Sequence, residues 1–96
     1  ALDKYAQGLI AELWKRPGLT PRDRSIVTVS ALIARNLTGE LAHQINVALD
    51  NGVKPRELSE IITHLAFYSG WANGMSAVAV AKDVFASRKI GADQLP

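Results

Sequence analysis

The chain contains no cysteine. That absence excludes a disulfide scaffold, a thiolate metal site and any thiol-based redox chemistry. Long apolar runs are missing as well: no window approaches the ~18 uninterrupted apolar residues of a membrane-spanning helix, and the N-terminus lacks the basic-then-apolar layout of a signal peptide. A soluble cytoplasmic protein with no membrane partner is the expectation. The chain opens with Ala1 rather than Met, which leaves room for a missing N-terminal segment. Charge of one sign is also scarce. Eleven bases against nine acids give a net charge of +2, too small to suggest a nucleic-acid partner. Aromatic residues interleaved with bases, the mark of single-strand binding, are absent except for Trp14. A phosphate-cradling glycine loop, a GxSxG elbow and a dinucleotide fingerprint are missing too.

What is there is a short, slightly apolar chain. Its 96 residues, 48% of them hydrophobic, with a mean hydropathy of +0.06, make one domain spanning 1–96. A chain of this size buries only about 60–70% of its unfolded surface, so so apolar a composition implies that other subunits cover part of it. Few prolines and glycines argue against disorder.

Helix punctuation runs throughout. Leu2, Ala6, Leu9 and Leu13 recur at helical spacing and Pro17-Gly18 closes the segment, predicting a first helix over 2–16. Thr20 as cap, Pro21 at the first position and Asp23 in the first turn begin a second, central helix. Thr38 is the expected cap of a third helix carrying Leu41, Ile45, Ala48 and Leu49, which Asp50-Asn51-Gly52 ends. Pro55 opens a fourth, with Leu58, Ile61, Ile62 and Leu65 on one face. A fifth begins at Ser69 or Asn73 and runs to about Arg88; its small residues, Gly74 and Ala77 among them, let a neighbouring helix come close. Residues 91–96 read as a loose tail. The short connections predict an all-α antiparallel bundle of about five helices.

Residues able to do chemistry are few. His43 has Glu40 at i−3, a carboxylate able to orient the imidazole, although such pairs are also ordinary solvated neighbours. His64 has Glu57 at i−7, Glu60 at i−4 and Tyr68 at i+4, beside the apolar stripe; it reads either as a border histidine or as a reactive one. No HExxH-like spacing supports a metal, and none is expected. Lys15, Arg16, Arg22, Arg24 and Arg35 stand against the single acid Asp23. Arg22 and Arg24 lie in a first turn, where they oppose the helix dipole, so they fit either anion binding or a solvated or intersubunit face. Phe67, Tyr68 and Trp71 form an aromatic group suited to a core, an interface or a substrate wall.

The runs RPGLTPRDRSIVTVSALIA (16–34), VALDNGV (47–53), EIITHLAFYSGW and MSAVAVAKDVF (within 60–85) resemble the carboxymuconolactone decarboxylase family, over about residues 12–88. The resemblance implies an all-α, alkylhydroperoxidase D-like fold assembling as homotrimers or homohexamers. The peroxidase branch of the family uses a CxxC followed by His on the third helix; 36–43 has no Cys, and thiolate chemistry is excluded. The Cys-free branch removes CO2 from γ-carboxymuconolactone in aromatic-compound catabolism without a cofactor. A small anionic organic substrate would then be held by Arg22 or Arg24 and walled by Tyr68 and Trp71, with His64, His43 and Glu40 as the catalytic candidates. The histidine of that branch's third helix falls at Gln44 here; His43 stands one place earlier, about 100° round the helix. His64, which keeps the family pattern, is favoured as proton donor. An unassigned oxidoreductase or isomerase, or a noncatalytic small-ligand-binding protein, is the alternative on this scaffold.

Overall fold

The computed structural model describes residues 2–91. Five helices follow one another: α1 (Leu2–Trp14), α2 (Pro21–Ala34), α3 (Thr38–Asp50), α4 (Pro55–Ser69) and α5 (Trp71–Ser87), with no strand among the described residues. The predicted all-α architecture holds, and most of its boundaries have the expected cause. At the start of α2 the Thr20 hydroxyl accepts the Asp23 N–H at 3.1 Å, satisfying one of the donors that a helix start leaves free, while Pro21 has none to lose. At α4, Pro55 stands at the first helical position and the Lys54 N–H donates to Glu57 Oε1 at 2.9 Å.

Three boundaries differ. The first helix ends at Trp14, and Lys15 and Arg16 continue as a turn bonded to the carbonyls of Glu12 and Leu13. Thr38 is not a cap: it is already helical, Leu37 holds the cap position, and no side chain bonds the exposed amides there. The fifth helix starts at Trp71, between the two expected positions. Its cap is Gly70 at φ 107°, a backbone conformation that costs glycine nothing and other residues much, so one residue suffices to break α4 from α5. Asn73 instead donates its amide to the carbonyls of Ala34 and Ser69, tying α5 to the end of α2. Apart from Gly91, the loose tail expected over 91–96 lies outside the described residues.

α2 packs on α3, α4 and α5; α4 packs on α5, and α3 on α5. The stripes read from the sequence turn inward: Leu41, Ile45 and Ala48 from α3, Leu58 and Ile62 from α4, and Ala77, Ala81, Val84 and Phe85 from α5 close around Val29, Leu32 and Ile33 of α2. Buried Ser25 accepts an amide N–H of Asn51 at 2.9 Å, so the polar group that α2 carries inward is paired. α1 is the exception. It has a clear apolar face yet no buried residue, and it packs substantially on none of the other four helices. No helix is long and apolar enough to cross a membrane among the described residues.

Candidate functional site in the groove between α2 and α4

Successive turns of α4 present Glu57, Glu60 with Ile61, and His64 with Leu65 toward α2, which answers with Ile26 and Ser30. Together they line a largely apolar groove of about 360 Å³. His64 is exposed at its mouth and stacks on Tyr68, one turn further on, with ring centroids 4.8 Å apart and planes at 21°. The i+4 spacing places one ring above the other on the same helix face. Glu60 lies one turn before His64 in the same groove, and no hydrogen bond joins the two among the described residues. Phe67 and Trp71 meet edge to face, centroids 5.7 Å apart. Tyr68, 80% exposed, leaves the groove open to water; Phe67 does not line the groove, and Trp71, 63% exposed, lines a hollow on the α4–α5 side of α4 instead.

The other end of the groove is electrically closed. Arg22 Nη2 donates to Glu57 Oε2 across the α2–α4 seam. This hydrogen bond and the attached charge raise the Arg22 pKa above its usual value. In turn the Arg22 bond, then the Lys54 N–H, hold the Glu57 carboxyl below the usual carboxylate range. Glu57 is therefore a neutralised wall and Glu60, among the described residues, the groove's unpaired acid. The pair was not legible from the sequence, because its partners are 35 residues apart; the Lys54–Glu57 cap spacing marks Glu57 only as a helix-start residue.

The pairing has a pH signature. A lowered folded pKa means that Glu57 contributes stability above its unfolded value, roughly 4.3, and that this contribution is lost as pH falls through the folded pKa. Glu57→Gln, which keeps an acceptor for Lys54, is expected to melt a few degrees below the unsubstituted protein at pH 7. The gap should close as the pH falls through the folded Glu57 pKa, because protonation then removes from the unsubstituted protein the charge that glutamine already lacks. Melting curves at stepped pH with a constant gap would show that the ion pair contributes nothing.

The remaining candidates lie elsewhere. Arg24 turns back toward the α1–α2 turn, donating Nη2 to the Arg16 carbonyl at 3.0 Å, and its buried Nε has no partner among the described residues. His43 and Glu40 are exposed on α3 and do not line the groove. Gln44 is half-buried with its Oε1 buried and, among the described residues, unpartnered. Within one chain, then, His64, Glu60 and Tyr68 come together, Arg22 adjoins them through Glu57, and His43, Glu40 and Arg24 stay apart. Among the described residues no three His, Asp or Glu side chains converge as a metal-holding group. The α2 wall, Ile26 and Ser30, carried no sequence signal beyond helix periodicity.

Known proteins share this arrangement of sequence. The chain is 36% identical over 84 residues to a 4-carboxymuconolactone decarboxylase of Acinetobacter baylyi, an alignment covering 88% of the chain and 60% of the relative. It is 33% identical over 81 residues to the nitrosuccinic acid decarboxylase npaB of Metarhizium robertsii, covering 84% of the chain and 54% of that protein. The chain thus spans somewhat over half the length of these curated relatives. Residues 1–83 match the carboxymuconolactone decarboxylase family as a whole, and with its five-helix fold the chain belongs to that family.

Proposed function

We propose that the chain is a decarboxylase-like lyase that removes CO2 from a small carboxylated lactone such as γ-carboxymuconolactone, without a cofactor and with His64 as the proton donor. The observation that carries this reading is the position of His64: an exposed imidazole at the mouth of an apolar groove, steadied by Tyr68. The names of both relatives support it, since each describes loss of CO2 from a small acid bearing an electron-withdrawing group.

The chemistry divides into three tasks. The carbon–carboxylate bond breaks and its electron pair passes through the lactone's double bond to the carbonyl oxygen, giving a dienolate. The oxyanion needs a hydrogen-bond donor as it forms. The dienolate then takes a proton on carbon, which His64 supplies and recovers from water. Glu60, one turn away, orients the ring when the groove is occupied. Arg22 keeps N–H donors beyond the one given to Glu57, and these meet a substrate carboxylate at the far end of the groove. Tyr68 walls the substrate. Because it is exposed in one chain, the proposed active form is a homo-oligomer, a trimer or hexamer, in which neighbouring copies dry the site and strengthen its electrostatics.

The test is turnover. The purified chain with γ-carboxymuconolactone should release CO2 with a matching change in ultraviolet absorbance, and nitrosuccinate serves as a second acid. A folded, assembled protein that releases CO2 from neither would overturn the proposal.

A further inference from the structure

A second feature of the chain is independent of the chemistry. Leu2, Tyr5, Leu9, Ile10 and Leu13 all lie more than half exposed on α1. Their spacing puts them on one face, so α1 is an amphipathic helix whose apolar stripe has no buried residue and packs substantially on no other helix of the same chain. Elsewhere, two adjoining hollows of about 180 and 190 Å³ share Ile62, Thr63 and Val78 and form one groove along the α4–α5 seam. Its rim holds Trp71 and Met75, 63% and 56% exposed.

We propose that the α1 stripe of one copy of this chain lies in the α4–α5 groove of a second copy. Length agrees. At 1.5 Å per residue the stripe from Leu2 to Leu13 is about 16 Å long, and the α5 wall from Trp71 to Phe85 about 21 Å. Area agrees as well. Aromatic side chains carry about 150–250 Å² each, and with the aliphatic ones the stripe and rim together leave on the order of 1,000 Å² of apolar surface in water. Bringing the two together would take that surface out of water, and about 1,000 Å² in total is where specific interfaces become stable.

Lining decides between the two grooves beside α4. The α2–α4 groove carries Glu57, Glu60 and His64, which an apolar helix would desolvate at a cost. Among the described residues, the α4–α5 groove has Lys82 as its one charged lining residue. Docking there leaves the histidine groove free for a ligand. Because stripe and groove are different surfaces, the contact closes either by reciprocal exchange between two copies or around a ring.

The cysteine-free sequence makes a clean test possible. Differently tagged Leu9→Cys and Thr63→Cys chains, co-expressed and mildly oxidised, should give a mixed covalent dimer; Leu9→Cys with Ile61→Cys, which reports the histidine groove, should not. Leu9→Asp should reduce the assembly seen by light scattering to the 10.4 kDa monomer while keeping its helical circular dichroism, since Leu9 touches no core. Cross-linking to Ile61→Cys in place of Thr63→Cys, a disulfide closing within one Leu9→Cys/Thr63→Cys chain, no mixed dimer at all, or an unchanged mass for Leu9→Asp would each overturn the proposal.

Discussion

His64→Gln is expected to lower kcat by about 100-fold or more on the true substrate, the usual scale for losing a general acid, while leaving the fold intact. Glutamine retains the size and a hydrogen-bonding end but cannot give up a proton near neutral pH, so it tests transfer and not packing. The fold is spared because His64 is exposed and stands outside the buried cluster. What is lost structurally is its stack on Tyr68, a contact of about 0.5–1.5 kcal/mol at most. His43→Gln should cost less, since His43 is exposed on α3 away from the groove. If the substituted enzyme fails at the protonation step, the loss should appear in kcat more than in KM, and the limb of the pH–rate profile that reports the donor should vanish. Equal kcat for both proteins, with unchanged circular dichroism, would return His64 to the role of a border histidine and move the search for the donor elsewhere.

The prominence of His64 was legible because its neighbours are local. Tyr68 and Glu60 are each one turn away on the same helix, and helical spacing alone puts the three on adjoining faces. Likewise Thr20, Pro21 and Asp23 mark the start of α2 through contacts within four residues. The misses share the opposite property. Thr38 has the chemistry of a cap, but the turn that leads into α3 places Leu37 there instead. Arg22 reads from sequence as a free cation in a first turn, and only the packing of α2 on α4 shows that Glu57 already holds it. The stripe on α1 has the same periodicity as that on α4, yet one is buried and the other is not. Periodicity states that a face must be covered; it is silent on whether the cover comes from the same chain.

Gly74→Ala is expected to destabilise the protein by about 1–3 kcal/mol, the range for forcing an extra methyl into a packed contact. A Cβ at position 74 would lie 2.7 Å from Ala66 Cβ and 3.3 Å from Ala66 Cα, whereas carbon atoms rest about 3.5–4.0 Å apart. Ala66 has no flexible end to swing away, so α4 and α5 must separate. Against this stands the better helix propensity of alanine, about 1 kcal/mol, which the clash outweighs because it engages backbone. In a chain of this size each kcal/mol lowers Tm by about 4–8 °C. Gly8→Ala is the control: nothing lies within 4 Å of the added methyl, so propensity alone acts and Tm should hold or rise. Ala66→Gly introduced with Gly74→Ala removes the colliding methyl and should recover part of the loss, less the propensity cost of the new glycine. The consequence reaches the site as well. His64 stands two residues before Ala66 on α4, so moving that helix off α5 alters the groove it forms with α2, and activity should fall along with Tm. A Tm for Gly74→Ala equal to or above that of the unsubstituted protein would show that the α4–α5 seam yields to a methyl group, and that the close approach of the two helices does not hold His64 in place.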